Sequence, residues 1–159
     1  METVRPAWWQ RPELAGLAGL AYGLWSCRHL AVAWRVSPYD AGGALAFLAW
    51  TLPLFVCRRP PAVGWMLAGL AALGLAGAAE LNVLAHVGLA MILAAWVQPV
   101  SLCRRAIWLV GAVAWMPALG YVLDGWPAAG VFGLRMLLAL AALPLLLMAF
   151  RQNREGARQ

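Results

Sequence analysis

The stretch Ala41-Gly-Gly-Ala-Leu-Ala-Phe-Leu-Ala-Trp50-Thr-Leu-Pro53-Leu-Phe-Val-Cys57-Arg58-Arg59 decides the class of this chain. From Ala41 to Cys57 no residue is charged, and the run then stops on an arginine pair. A helix that crosses a bilayer needs roughly 17–25 mostly apolar residues, and basic residues mark its cytoplasmic end. The same design returns further on as His86-Val-Gly-Leu-Ala-Met-Ile-Leu-Ala-Ala-Trp96-Val-Gln-Pro99-Val-Ser-Leu-Cys103-Arg104-Arg105. His86–Arg105 aligns on Asp40–Arg59 without a gap, and Gly, two Ala, Trp, Pro, Cys and both Arg coincide. Such a match reads either as a parallel repeat of a helical hairpin or as convergence, since Trp, Pro and Arg pairs all favour helix ends.

The whole chain shares this character. Of 159 residues, 64% are hydrophobic and 11% charged. A soluble domain carries about 25% charged residues, so the balance belongs to the membrane class. The net charge is +6, all from arginine, as the chain has no lysine. The arginines sit in pairs beside apolar runs, where topology determinants and lipid contacts belong, and no basic face interleaved with readers of nucleic acid is visible. The three cysteines, Cys27, Cys57 and Cys103, are far apart and form no CxxC. Two of them precede arginine pairs at the expected reducing face, which argues against a disulfide framework.

Six spans can be read, at about 13–30, 41–57, 62–79, 81–103, 106–123 and 128–150, which would leave no room for a soluble domain. Arg5 and Arg11 precede the first, Arg58 and Arg59 lie between the second and third, Arg104 and Arg105 between the fourth and fifth, and Arg151, Arg154 and Arg158 follow the sixth. These are alternate connections and hence one side, the cytoplasm by the positive-inside rule. The expected fold is therefore an all-α polytopic transmembrane helix bundle in the cell inner membrane. Both termini are cytoplasmic, and residues 151–159 form a short basic tail. A rival reading makes the start a cleaved signal peptide, with Ala31-Val32-Ala33 as its cleavage site, leaving five spans. Glycines crowd the third span at Gly64, Gly69, Gly74 and Gly77, a spacing that lets helices approach closely within the chain or across a dimer. Trp8, Trp9, Trp34, Trp65, Trp108 and Trp126 fall near span ends, as an aromatic belt does.

Polar residues at membrane depth are costly and are therefore site candidates. Here they collect toward the outer side: Arg28, His29, Asp40, Glu80, Asn82, His86, Asp124 and Arg135. Arg135 is the deepest charge. One reading is structural, with Arg135 paired to Asp124 or Glu80 to hold helices in register. Another is a substrate or headgroup site, with Arg135 anchoring an anion and His86 moving a proton. His29 and His86 lie on different helices without a second ligand at i+3 or i+4, so neither a metal nor a haem is expected, and no other cofactor. GxSxG, HExxH, P-loop and dinucleotide motifs do not occur.

The stretch Trp34-Arg-Val-Ser-Pro-Tyr39-Asp40-Ala-Gly-Gly, with the apolar helix ending in Cys57-Arg58-Arg59, resembles the early part of the exosortase/archaeosortase family, and Trp115-Met-Pro117 is loosely similar to a later part. That resemblance implies a multi-pass membrane protein related to processors of the sorting-signal tails of surface proteins. The family's Cys-Ser-Gly-type motif, with its downstream Arg and His, has no counterpart in this sequence, so the resemblance implies a shortened, non-catalytic relative and assigns no catalytic residue. The function expected is that of a small, non-enzymatic accessory subunit whose partners are the lipid bilayer and another membrane protein or a second copy of itself. An exosortase-like membrane enzyme acting at the outer face and a small oligomeric transporter are the alternatives.

Overall fold

The computed structural model describes residues 12–56, 61–97 and 102–156. Its elements are helices α1 (Pro12–Ser26), α2 (His29–Val36), α3 (Gly43–Val56), α4 (Val63–Ala79), α5 (Asn82–Ala95), α6 (Leu102–Gly111), α7 (Pro117–Val122), α8 (Ala128–Ala139) and α9 (Leu143–Gly156). Short 3-10 turns, Ala112–Trp115 and Leu140–Ala142, lie between α6 and α7 and between α8 and α9. No strand occurs among the described residues, so the all-α class holds.

Local chemistry explains the breaks. Pro117 has no N–H to donate and disfavours a helical residue before it, so Met116 turns extended (φ −78°, ψ 137°) and the helix restarts at Pro117. The expected span 106–123 is thus two helices and a 3-10 turn. Its first helix starts at Leu102, which puts Arg104 and Arg105 inside α6 rather than in the connection before it. The expected span 13–30 breaks after Ser26 and resumes as α2, which runs on to Val36. Of the run expected over 81–103, helix α5 takes Asn82–Ala95, with Trp96 as its cap. Glu80 closes α4 in the left-handed region (φ 55°), and its N–H and that of Leu81 both donate to Ala76 O. This one-residue cap reverses the chain straight into α5.

Two sets of three helical segments follow. In the first, α4 and α5 are antiparallel. Ala62 N donates to Ala95 O at 2.8 Å, and midway Gly69 and Gly88 meet so closely that a Cβ on either would lie within 3 Å of the other's carbonyl oxygen. Helix α1 lies across this hairpin. Gly16 abuts Trp96 and Pro61, Gly19 abuts Leu70, and Gly23 abuts Leu73, Leu89 and Ile92, so α1 runs parallel to α4 and against α5. In the second set, α3 lies against the α6–α7 segment, with Trp50 at Trp108, Phe47 at Trp115 and Asp40 beside Gly120. The α8–α9 stretch returns along both, with Gly42 at Phe132 and Gly111 at Leu138 and Ala141. Trp34, on α2, covers Gly43 and Phe47 of the second set.

The surface is apolar. Phe55 is 82% exposed, Tyr121 88% and Val122 80%, and leucines from α1, α3, α4, α8 and α9 project outward. Arg135, at 0%, His86, at 2%, and Asp40, at 7%, are inside. Soluble proteins show the opposite distribution, with Arg and Asp almost never fully buried unless paired. Among the described residues one continuous helical stretch, Ala128–Met148, is long and apolar enough to cross a membrane, with a mean hydropathy of 2.2 and only 28% of its apolar window buried. At 1.5 Å per residue its length is about 31 Å, close to the thickness of a bilayer's hydrocarbon core. Gly43–Val56, Val63–Ala79 and Asn82–Ala95 are apolar but shorter.

Candidate functional site: two buried polar pairs

The eight candidate residues lie toward one end of the helices, where α1, α4 and α7 finish and α3, α5 and α8 begin. They do not form one cluster. Two pairs take four of them, with Asp40, Arg135 and His86 buried and His29 half-buried, and Arg28, Glu80, Asn82 and Asp124 remain exposed.

The first pair starts from the broken helix. At Met116–Pro117 the helical ladder stops, and the carbonyl of Ala114 loses its acceptor role in it, while Met116 O accepts from Leu119 N–H at 3.2 Å as α7 restarts. Arg135, reaching in from α8, supplies the donors: its Nη1 donates to Ala114 O at 2.7 Å and to Met116 O at 3.1 Å. Its Nε donates to Tyr39 O at 3.1 Å, and its Nη2 forms an ion pair with Asp40 Oδ1. The guanidinium therefore ties three segments together, and three of its four bonds go to backbone. Gly120 allows this closeness, since a Cβ there would stand 3.0 Å from Asp40 Oδ1 and 3.4 Å from Arg135 Nη2. Sequence reasoning chose Asp124 or Glu80 as the partner of Arg135. The partner is Asp40, because the turn that carries Tyr39 and Asp40 is the segment facing the helix break. Arg135 holds no vacant fork for an anion, so the arrangement is a staple.

The second pair joins the start of α2 to α5. His29 Nε2 and His86 Nε2 are 2.8 Å apart, with ring centroids at 5.0 Å. One ring donates and the other accepts, so at least one imidazole is neutral. The 2.8 Å spacing is that of a hydrogen bond. An ion held tetrahedrally by both nitrogens at about 2.0 Å would need about 3.3 Å between them. No group of three metal-ligating side chains occurs among the described residues. His86 Nδ1 is buried with no partner, as is Trp115 Nε1, and the two rings meet edge to face at 6.1 Å. Cys27 turns away from His29, its Sγ lying 3.5 Å from Ala85 O. Cys103 is exposed and unbridged, and Cys57 lies outside the described residues.

The remaining candidates sit at the rim. The Arg28 guanidinium lies 4.6 Å from the Trp25 ring centroid. Glu80 forms the left-handed cap, Asn82 opens α5, and Asp124 follows α7.

A third feature was missed by sequence reasoning. Trp50 and Trp108 stack at 4.2 Å with their planes 5° apart, and each indole N–H donates to the other's backbone carbonyl, at 2.6 and 3.0 Å. Trp108 had been assigned to the aromatic belt. It is fully buried, as is Trp50, and the pair locks α3 to α6. Of the other belt residues, Trp34 is half-buried and donates to Trp115 O, Trp65 lies half-buried under Arg105, and Trp126 is exposed. Trp8 and Trp9 lie outside the described residues.

Equivalent positions of the internal repeat do similar work. Asp40 and His86 each meet a polar partner from another helix, Gly42 and Gly88 each sit at a close approach, and Trp50 and Trp96 are each buried. No protein-family model, no curated protein and no solved structure matches the chain.

Proposed function

We propose that this is an integral protein of the cell inner membrane with six spans, both termini in the cytoplasm, acting as a non-enzymatic accessory subunit. The observation that carries the reading is the inverted polarity of the molecule: large apolar side chains face outward on every side, while Arg135, Asp40 and His86 are internal. Lipid is the solvent that such a surface fits, and a staple such as Arg135 stabilises a bundle that has no hydrophobic driving force between its helices. The short helices cross as the broken and tilted members of a bundle around the one full-length stretch. The accessory role rests on how the polar residues are used: the buried ones are bonded to one another or to backbone, and Arg28, Glu80, Asn82 and Asp124 remain at the rim to meet a partner membrane protein.

A second reading, an exosortase-like membrane enzyme acting at the outer face, is favoured by one feature. The His29–His86 pair holds a buried imidazole whose Nδ1 is unengaged, a group able to accept a proton.

The test is to solubilise the membrane fraction in mild detergent and follow the chain by native electrophoresis. A discrete complex that is lost in Glu80→Ala or Asp124→Ala, at unchanged abundance, is expected. Migration as a lone monomer in every preparation contradicts the accessory role.

A further inference from the structure

Between the two helix sets runs a cleft of about 410 Å³, walled by α1 (Leu17 to Leu24) and α3 (Phe47 to Phe55) and floored by Leu93 of α5 and its cap Trp96. Along α1 it extends about 10 Å at 1.5 Å per residue. Its one polar side chain in the α3 wall, Thr51, turns its hydroxyl into its own helix, donating to Phe47 O and Leu48 O at 2.9 and 3.0 Å, and so presents its methyl group. The wall is thus chemically hydrocarbon. The floor residues are at most 6% exposed, so the cleft is a slot between helices and fits an extended chain better than another helix.

At the Trp96 end the character changes. Arg105 reaches back from α6 to donate to Val97 O at 3.4 Å, next to Trp96, with its guanidinium 5.2 Å from the Trp65 ring centroid. Arg104, though exposed, turns away, its Nη1 bonded to Met148 Sδ of α9. We infer that this cleft is a binding site for one anionic phospholipid of the surrounding bilayer, with an acyl chain in the slot and the phosphate at Arg105. The occupant follows from charge complementarity: a hydrocarbon slot whose Trp96 end lies beside an arginine matches a molecule with a hydrocarbon tail and an anionic head, and basic sites between membrane helices hold such headgroups. This inference rests on the membrane reading above.

The experiment is native mass spectrometry of the full chain in detergent, mixed with dioleoyl phosphatidylglycerol or dioleoyl phosphatidylcholine. Phosphatidylglycerol is expected to be retained about fivefold better, the scale of preference that one nearby arginine confers at about 1 kcal/mol. Arg105→Gln, which keeps a donor for Val97 O, abolishes that preference and leaves phosphatidylcholine unaffected. Leu48→Trp, whose parent side chain is 60% exposed, plugs the slot and lowers retention of both lipids. Circular dichroism and elution of each variant as a single species certify folding. Equal retention of the two lipids overturns the inference, as does undiminished phosphatidylglycerol binding in folded Leu48→Trp. An alkaline carbonate wash of membranes, run in parallel, separates the two levels of the argument: release of the chain contradicts the membrane reading, whereas a chain that stays in the membrane but shows no lipid preference contradicts this site alone.

Discussion

Exchanging Asp40 and Arg135 provides a sharp perturbation, because two accounts of the pair disagree about it. If the pair were held by charge alone, Asp40→Arg with Arg135→Asp would restore stability. In the structure only one of the four bonds of Arg135 goes to Asp40, and the others go to the carbonyls of Tyr39, Ala114 and Met116. An aspartate at position 135 has no donor for them. Asp40→Ala leaves a guanidinium still bonded to three carbonyls and should cost about 3 kcal/mol, the low end for breaking a buried pair. Arg135→Ala leaves a buried carboxylate and also frees the carbonyls of Tyr39 and Ala114, at about 0.6–1 kcal/mol each in a membrane interior, while Met116 O keeps Leu119 N–H, for a total of about 4–5 kcal/mol. The exchange should be no better than Arg135→Ala. The assay is unfolding by sodium dodecyl sulfate titrated into dodecyl maltoside micelles, followed by tryptophan fluorescence. An exchange variant within about 1 kcal/mol of the parent, or Asp40→Ala costing more than Arg135→Ala, refutes the staple.

Two further outcomes follow from the same contacts. His29→Ala strands both ring nitrogens of the buried His86 and should cost about 1–3 kcal/mol, whereas His86→Phe removes the orphaned Nδ1 and keeps the volume, costing less than about 1.5 kcal/mol. The reverse order in the same titration contradicts the assigned geometry. Gly88→Ala sets a Cβ 2.9 Å from Gly69 O and 3.1 Å from Leu73 N and should cost about 1–3 kcal/mol, while Gly74→Ala and Gly77→Ala meet open space and should gain up to about 1 kcal/mol from helix propensity. Equal effects at all three positions would show that α4 packs on a different face.

The sequence makes the helical class and most helix limits legible, because apolar runs and arginine pairs act over a few residues. α3 and α4 fall within two residues of their expected bounds. The partner of Arg135 was not legible in the same way: three acids and three arginines near the outer side offer many pairings, and only the tertiary path selects Asp40. A signal was present in Trp115-Met116-Pro117. A proline there orphans a carbonyl inside an apolar segment, which calls for a donor from outside the helix, and Arg135 is the deepest donor in the sequence. The Trp50–Trp108 lock had no local signal, since a tryptophan near a span end is as readily a belt residue as a core one. The glycines of α4 divide by face: Gly69 meets Gly88, and Gly64, Gly74 and Gly77 look outward, a distinction that spacing alone does not make.

The central claim is that the chain crosses the membrane six times with its arginine pairs on the cytoplasmic side, and tandem phosphatase and fluorescent-protein fusions measure this directly. The account predicts active phosphatase and dark fluorescent protein for fusions at Ser37, Glu80 and Gly125, and the reverse at Arg59, Arg105 and the C-terminus. An active phosphatase at Arg59 or Arg105 would contradict it.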